Sequence, residues 1–468
     1  MDSMVAEPKE TSGGNIAELR REQREYFHSG ETRDPKFRKA MLARLRAAIR
    51  EHESEFIRAL QLDLRKSEFE AYSNEIGIVY REIRYAMRHV RRWSRRRSVL
   101  PDIHLLPGRA RVIPEPYGSA LIIAPWNYPM QLLFTPLVSA IAAGNTAVVK
   151  PSELAPHTAG VTQRTIESAF PGRYLAAVQG GAEISTALID QGFDYLLFTG
   201  SATVGRSVMQ RAARQLTPVT LELGGKSPAI VHASADLSTA ARKLAWGKYN
   251  NTGQTCVAPD YVLADRRIAA ELADRLRETV RSFYGEDPAE SESYGRIINR
   301  KHFQRLLALL DTDSIYHGGG HDADTLYIEP TILYPASWNE PVMEEEIFGP
   351  ILPIVPYDSI DEAVAAIRAR PSPLALYLFA RERSIGDTVI GGLRFGGGGI
   401  NCTLLHFSSK RLPFGGIGHS GMGKQHGKAG FDTFSHTKSV LVQPAGIDLP
   451  IAYPHRNLGM RILRTIFR

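Results

Sequence analysis

Sulfur is scarce in this chain: Cys256 and Cys402 are the only 2 cysteines in 468 residues. That excludes a disulfide framework, and no cysteine and histidine cluster at ligand spacing marks a metal site, so none is expected. Both thiols are expected to be free. Long apolar runs are missing too, since "SALIIAPWNYPMQLLF" and "PLVSAIAAG" are interrupted by proline or glycine and are too short to cross a bilayer unaided. The beginning, "MDSMVAEPKETSGGN", has acidic residues and no apolar core of the kind a secretory signal needs, which predicts a cytoplasmic location. Internal repeats and low-complexity tracts are absent. What is present is an ordinary globular composition, 43% hydrophobic and 23% charged, in a chain longer than one hydrophobic core usually organises.

Much of the net charge of +7 comes from "REIRYAMRHVRRWSRRRS", Arg81 to Ser98. Ile83, Met87 and Val90 recur there at helical spacing, which predicts a helix with those residues buried and its arginines in water. No recognition motif accompanies the charge, so no nucleic-acid partner is expected. The ending "PHRNLGMRILRTIFR" is basic and amphipathic, with Leu458, Ile462 and Ile466 at i, i+4 and i+8. It is expected to dock on a partner subunit or to make weak contact with a membrane surface.

"NIAELRREQREYFHSGET" and "DPKFRKAMLARLRAAIREHESEFIRALQLDL" carry apolar residues at helical spacing. From "ARVIPEPYGSALIIAPW" onward, short β-branched runs such as "NTAVVKPS", "YLLFTGS" and "VTLELGG" alternate with helical segments. That rhythm predicts a mostly parallel sheet with helices on both faces. A second set runs from "ELGGKSPAIVHASAD" through "GPILPIVPYDS" and "LALYLFA", so two α/β domains in series are expected, meeting near Glu222 to Ser227.

Four stretches pair chemically useful side chains with turn formers. "IIAPWNYP" ends a strand and presents Trp126 and Asn127 where open α/β sheets bind ligands; a side-chain amide there can donate to an oxyanion, or simply cap a turn. "VVKPSE" leaves Lys150 and Glu153 at another strand end, where a carboxylate can accept ribose hydroxyls or form a surface pair. "LFTGSATVGRSVM" reads as strand, Gly-Ser turn and helix, a geometry that aims free N–H groups at a phosphate, although it is neither G-x-G-x-x-G nor a P-loop. "LELGGKSP" sets Glu222 before two glycines, and "NNTGQTCVAP" follows with Cys256, a natural nucleophile if a helix N-terminus or a positive charge lowers its pKa, and otherwise an inert buried thiol.

From Gly118 to Lys438, "APWNYP", "KPSE", "FTGSATVG", "LELGGKSP", "GQTCVAPDYV", "EPTIL", "EEEIFGP", "INC" and "LPFGGIGHSGMG" follow in order. In this succession the chain resembles the NAD(P)-dependent aldehyde dehydrogenase superfamily. "SYGRIINRKHFQRL", "PLALYLFA" and "GMGKQHGKAGFDTFSHTKS" are similar to its class 3 branch. The resemblance implies two Rossmann-like three-layer α/β domains with a small β bridging and oligomerisation extension: an NAD(P)-binding domain from residues 1–98 and 117–222, a catalytic domain from 223–418, bridging segments 99–116 and 419–445, and a tail from 446–468. It implies oxidation of fatty, aromatic or other apolar aldehydes to acids with NAD or NADP, in a homodimer.

The same resemblance implies Cys256 as nucleophile, Glu222 as general base, and Asn127 with the Cys256 N–H as oxyanion hole. Cofactor contacts are implied for Ala124 and Trp126, for Lys150, Ser152 and Glu153 at the adenine-side ribose, and for Gly200, Ser201, Val204 and Gly205 at the pyrophosphate. Leu223, Gly224, Glu346 and Phe348 would meet the second ribose and the nicotinamide, and Tyr128, Met130, Cys402 and Phe407 would line the aldehyde tunnel. Gln425 stands where class 3 members carry tyrosine, and Cys402 where they commonly carry aspartate; both changes are expected to leave the catalytic set untouched. His406 and His436 are expected to be packed and hydrogen-bonded. An acylating dehydrogenase using coenzyme A or phosphate, or a non-catalytic binding protein on the same fold, remains as an alternative.

Overall fold

The structure, a computed structural model, describes residues 13–447 and Arg464. The amphipathic tail with Leu458, Ile462 and Ile466 lies outside the described residues. Strands covered on both faces should be apolar throughout rather than alternating. Ser119–Ile123, Thr146–Lys150 and Tyr195–Thr199 are buried at every position, and they form the centre of a six-stranded sheet. The chain starts in the middle at Ser119–Ile123 and grows to one side through Thr146–Lys150 and Leu175–Ala177. It then returns to the other side with Tyr195–Thr199 and Val219–Glu222, all parallel. This reversal opens a crevice between the carboxyl ends of Ser119–Ile123 and Tyr195–Thr199, where ligands of open α/β sheets bind.

Between Val219–Glu222 and the next strand, Pro228–Val231, the chain passes to a seven-stranded sheet. There Pro228–Val231 lies between Tyr261–Asp265 and Ala375–Phe379, with Ile351–Tyr357 and Thr331–Leu333 beyond the first and Gly397–Ile400 beyond the second. These pairings are parallel; Ile315–His317 closes one edge antiparallel.

The helices Gly13–His28, Pro35–Glu51 and Glu53–Leu64 form where helical spacing predicts them, and Asp34 caps the second by accepting the Lys36 N–H at 2.8 Å. The arginine-rich stretch forms the helix Gly77–Trp93, burying Ile83, Ala86 and Val90 while Arg81, Arg84 and Arg88 stay exposed; Met87, expected to be buried, is half-buried against the rim of the core. With Pro35–Glu51 and Gln131–Ala143 it packs a core against the six-stranded sheet.

A third, antiparallel sheet joins Arg97–Val99, Arg109–Pro116 and Ser435–Val442. One part of the 419–445 segment departs from this sheet. Gly421–Met422 adds to the six-stranded sheet beside Val219–Glu222, an approach only glycine permits, because a Cβ at Gly421 (φ +139°) would stand 2.2 Å from the Leu221 carbonyl oxygen. The two histidines also differ from expectation. His406 is packed between Tyr377 and Phe414, but neither ring nitrogen has a hydrogen-bond partner among the described residues. His436 is exposed, because it falls on the outer strand Ser435–Val442.

Candidate active site

After the helix Leu237–Tyr249, the turn Asn250–Gly253 holds Asn251, Thr252 and Gly253 at φ of 51°, 54° and 74°. Threonine rarely adopts this region, so the surroundings must impose it. The Glu70 carboxylate accepts the Asn251 N–H at 2.7 Å, and the Asn251 amide donates to the backbone carbonyls of Asn127 at 2.9 Å and Gln254 at 3.1 Å. At Gly253 a Cβ would stand 2.2 Å from the Gly349 carbonyl oxygen, so only glycine fits. The bend delivers Cys256, half-buried, to a cavity of 530 Å3 lined by both large sheets.

Cys256 is not activated in the expected way. It lies in a turn rather than at a helix N-terminus, and its charged neighbours are carboxylates. Burial pushes the thiol up to about 12, Glu346 and Glu222 add to this, and the N–H groups of Cys256 and Val257 only partly offset it. A neutral thiol needs a proton acceptor before it can attack.

Glu222 ends the strand Val219–Glu222 and opens on the same cavity. Neither carboxylate oxygen has a hydrogen bond of ordinary geometry among the described residues, and burial pushes the group up to about 8 against the opposing pull of Gln425 and Lys424. Gln425 therefore does bear on the proposed base, contrary to expectation, because the bridge Phe414↔Gln425 folds its segment back over Glu222. The Asn127 amide Nδ2 donates to the Gln254 carbonyl at 2.9 Å, two residues before Cys256, and its second N–H is left for another acceptor. A neutral thiol, a carboxyl group that ionises near neutrality and a fixed amide donor are the parts that acyl chemistry on sulfur requires.

Trp126, Gly200, Ser201, Leu223, Gly224, Glu346 and Phe348 line this cavity as well. Ser201 caps the helix Ala202–Ala213 by accepting the Val204 N–H at 3.3 Å, and no acidic residue occupies its first turn, which leaves a helix N-terminus suited to a phosphate. The Thr199 hydroxyl beside it is buried without a hydrogen-bond partner among the described residues. Glu346 lies over the Gly224-Gly225 backbone and accepts the Gly225 N–H; a Cβ at Gly224 would fall 1.9 Å from its Oε2. Burial and Asp260 push this carboxyl up to about 8 as well. These groups fit a dinucleotide with its pyrophosphate at the helix and a ribose near Glu346.

None of Ala124, Lys150, Ser152, Glu153, Val204 and Gly205 lines the cavity: the first four lie at or just beyond strand ends of the same sheet, and Val204 and Gly205 lie in the helix Ala202–Ala213. Lys150 and Glu153 pair at 2.5 Å, Ser152 accepts the Leu154 N–H at 3.3 Å, Ala124 donates to the Lys150 carbonyl at 3.1 Å, and Gly205 packs under Leu223. None of the four tunnel candidates lines it either. Tyr128 bonds Thr255 Oγ1 at 2.7 Å and Phe407 packs near Phe414, so both border the cysteine loop from behind. Met130 is fully buried in the core of the first sheet because its N–H helps start the helix Gln131–Ala143, and Cys402 is packed onto Gly399.

Several residues that shape the site carry no local signal. Lys226 bonds Asp260 at 2.5 Å and the Glu345 carbonyl at 2.8 Å, while Asp260 accepts the Ile347 N–H at 3.0 Å, which fixes the loop bearing Glu346. His302 stands 5.1 Å from the Trp126 ring, whose other neighbour is Phe348 at 5.4 Å. Beneath the Asn127 turn, Lys66 and Glu75 form a pair at 2.5 Å with both side chains fully buried. Lys66 also donates to the Asn127 carbonyl at 2.9 Å, and Glu75 accepts the N–H groups of Met130 and Gln131 at 2.9 and 3.1 Å. Lys66→Met leaves Glu75 buried and unpaired, so it is expected to destabilise the fold by about 3–5 kcal/mol and lower Tm, with Lys66→Met/Glu75→Gln recovering part of the loss. Thermal unfolding of the two variants checks this; equal Tm values for wild type and Lys66→Met would refute it.

The chain matches the aldehyde dehydrogenase family over residues 2–440. It is 45% identical to 4,4'-diaponeurosporen-aldehyde dehydrogenase of Staphylococcus aureus over 445 residues, 95% of this chain and 97% of that one. A dimeric NADP-preferring aldehyde dehydrogenase of Canis lupus familiaris is 43% identical, over 92% of this chain and 95% of its own. Among solved structures, a substrate-bound state of Staphylococcus aureus AldH superimposes with a TM-score of 0.95 at 44% identity, covering 97% of this chain and 99% of that one.

Proposed function

Because the chain belongs to the aldehyde dehydrogenase family and is an NAD(P)-dependent oxidoreductase, we propose that it oxidises an apolar aldehyde to the free acid at Cys256, Glu222 and Asn127. The observation that carries this is convergence: three side chains from three separate segments meet in one cavity with a helix N-terminus and Glu346. Cys256 adds to the carbonyl as the thiolate, once its proton has been lost to solvent. Asn127 and the Cys256 N–H hold the resulting oxyanion, a donor of this kind contributing about 3–4 kcal/mol to the transition state. A nicotinamide bound in this cavity would supply the hydride acceptor, and the sulfur would be left as a thioester. Glu222 then takes a proton from the water that hydrolyses it. Ser201 with the helix after it would hold the pyrophosphate, Lys150 and Glu153 the outer ribose, and Glu346 the inner one.

Apolar substrates suit the surroundings of the cysteine, since Tyr128 bonds Thr255 beside it and Cys256, Phe407 and Phe414 pack against one apolar cluster. The exposed apolar residues Val99, Val440, Leu441 and Val442 on the three-stranded sheet favour a homodimer, and the two free thiols favour the cytoplasm. NAD(P)H formation over a series of linear and aromatic aldehydes, without coenzyme A or phosphate, tests the assignment. Rates rising with chain length and a free acid product are expected; dependence on coenzyme A would identify an acylating enzyme.

A further inference from the structure

The arginines of the helix Gly77–Trp93 line a second cavity that the aldehyde chemistry leaves unused. Arg81, Arg84, Tyr85 and Arg88 occupy i, i+3, i+4 and i+7, one helical face, and with Ser409, Lys410 and Arg411 they line an open cleft of 340 Å3. The opposite face of the helix is fixed in the core. Arg81 braces the two walls together, its Nη2 donating to the Ser408 carbonyl at 3.4 Å. None of the lining residues is shared with the cavity around Cys256.

Five cationic side chains line this space, and among the described residues one carboxylate is paired with them. Glu82 Oε2 lies 3.1 Å from Lys410 Nζ, while Oε1 accepts the Gly427 N–H at 2.8 Å, so its charge is already committed to a buried lysine. Arg81, Arg84, Arg88 and Arg411 form no ion pair among the described residues, whereas arginines elsewhere on the surface, such as Arg21, Arg164, Arg211 and Arg266, do. Like charges at i, i+3 and i+4 repel, and an anion between them would relieve that repulsion. Guanidinium groups match phosphate oxygens as planar forks, and the Ser409 and Tyr85 hydroxyls can donate beside the neutralised Lys410–Glu82 pair. The volume exceeds that of a lone phosphate and reaches the lower end of small-molecule sites, about 300 Å3.

We propose that the cavity between Arg81, Arg84, Arg88, Lys410 and Arg411 binds a phosphate-bearing anion of two or more charges. The phosphate can come from a free metabolite or from a lipid headgroup. Inorganic pyrophosphate is titrated into NAD-saturated protein by calorimetry at fixed ionic strength, so that the nucleotide pocket is already filled. The same protein is sedimented with phosphatidylcholine vesicles with and without phosphatidic acid. Saturable binding is expected for at least one probe, weakened about tenfold or more in Arg84→Glu/Arg88→Glu and in Arg411→Glu, with NAD(P)H production unchanged. Pyrophosphate binding alone identifies a free metabolite; vesicle binding alone identifies a headgroup. Binding of neither probe, or binding that stays within about twofold of wild type in both variants, overturns the proposal.

Discussion

Cys256→Ala is expected to lower kcat/KM by at least about ten-thousandfold for every aldehyde, the scale seen when a covalent nucleophile is removed. Cys256→Ser should be nearly as inactive, because a hydroxyl is a far weaker nucleophile than sulfur. Cys256 is half-buried and in a loop fixed by Glu70, Asn127 and Asn251, so neither change should alter the fold, and near-identical circular dichroism with NAD binding retained separates lost chemistry from lost structure. Near-normal NAD(P)H production by Cys256→Ala would remove this residue from the reaction. The other thiol provides a control: Cys402 packs onto Gly399 away from the cavity, and Cys402→Ala should retain activity.

The strands that build the candidate site were legible because each ends in its own candidate residue. "LELGG" is both the end of Val219–Glu222 and the place of the carboxylate, and "FTGS" is both the end of Tyr195–Thr199 and the cap of the next helix. Period-two and period-3.6 patterns report which face of an element is buried, and they placed Ile83 and Val90 inward correctly. They do not report what stands behind a turn. Lys66 and Glu75 sit in a helical region more than fifty residues from Asn127 in sequence, with nothing local to distinguish them from surface charges, yet both are fully buried beneath it. Met130 failed for the related reason that a residue beside a functional one can point to the core when it begins a helix. The activation of Cys256 failed because a loop of left-handed residues, not a helix start, carries it, and only the packing of Gly253 against Gly349 makes that conformation necessary.

That corrected picture makes Glu222 the group on which the pH dependence should turn. With its carboxyl pushed from 4.5 up to about 8, the ionised form is a minor species, about a tenth, at pH 7. Base catalysis requires the ionised form, so the hydrolytic step should quicken as pH rises toward 8 and level off above it. Glu222→Gln cannot accept the proton. It should give a burst of about one NADH per site, then deacylate about 10²–10⁴-fold more slowly, and the pH limb should vanish. Intact-mass measurement should find the acyl group on Cys256. Glu346 is also pushed up to about 8, by burial and by Asp260, but it is held on the Gly224-Gly225 backbone, and under the proposed function it meets the cofactor rather than the water. Glu346→Gln should therefore keep the pH limb of deacylation. A Glu222→Gln enzyme with slow acylation and no burst would put the proton transfer before the thioester and make Glu222 the activator of the thiol, whereas unchanged deacylation would exclude it from both steps.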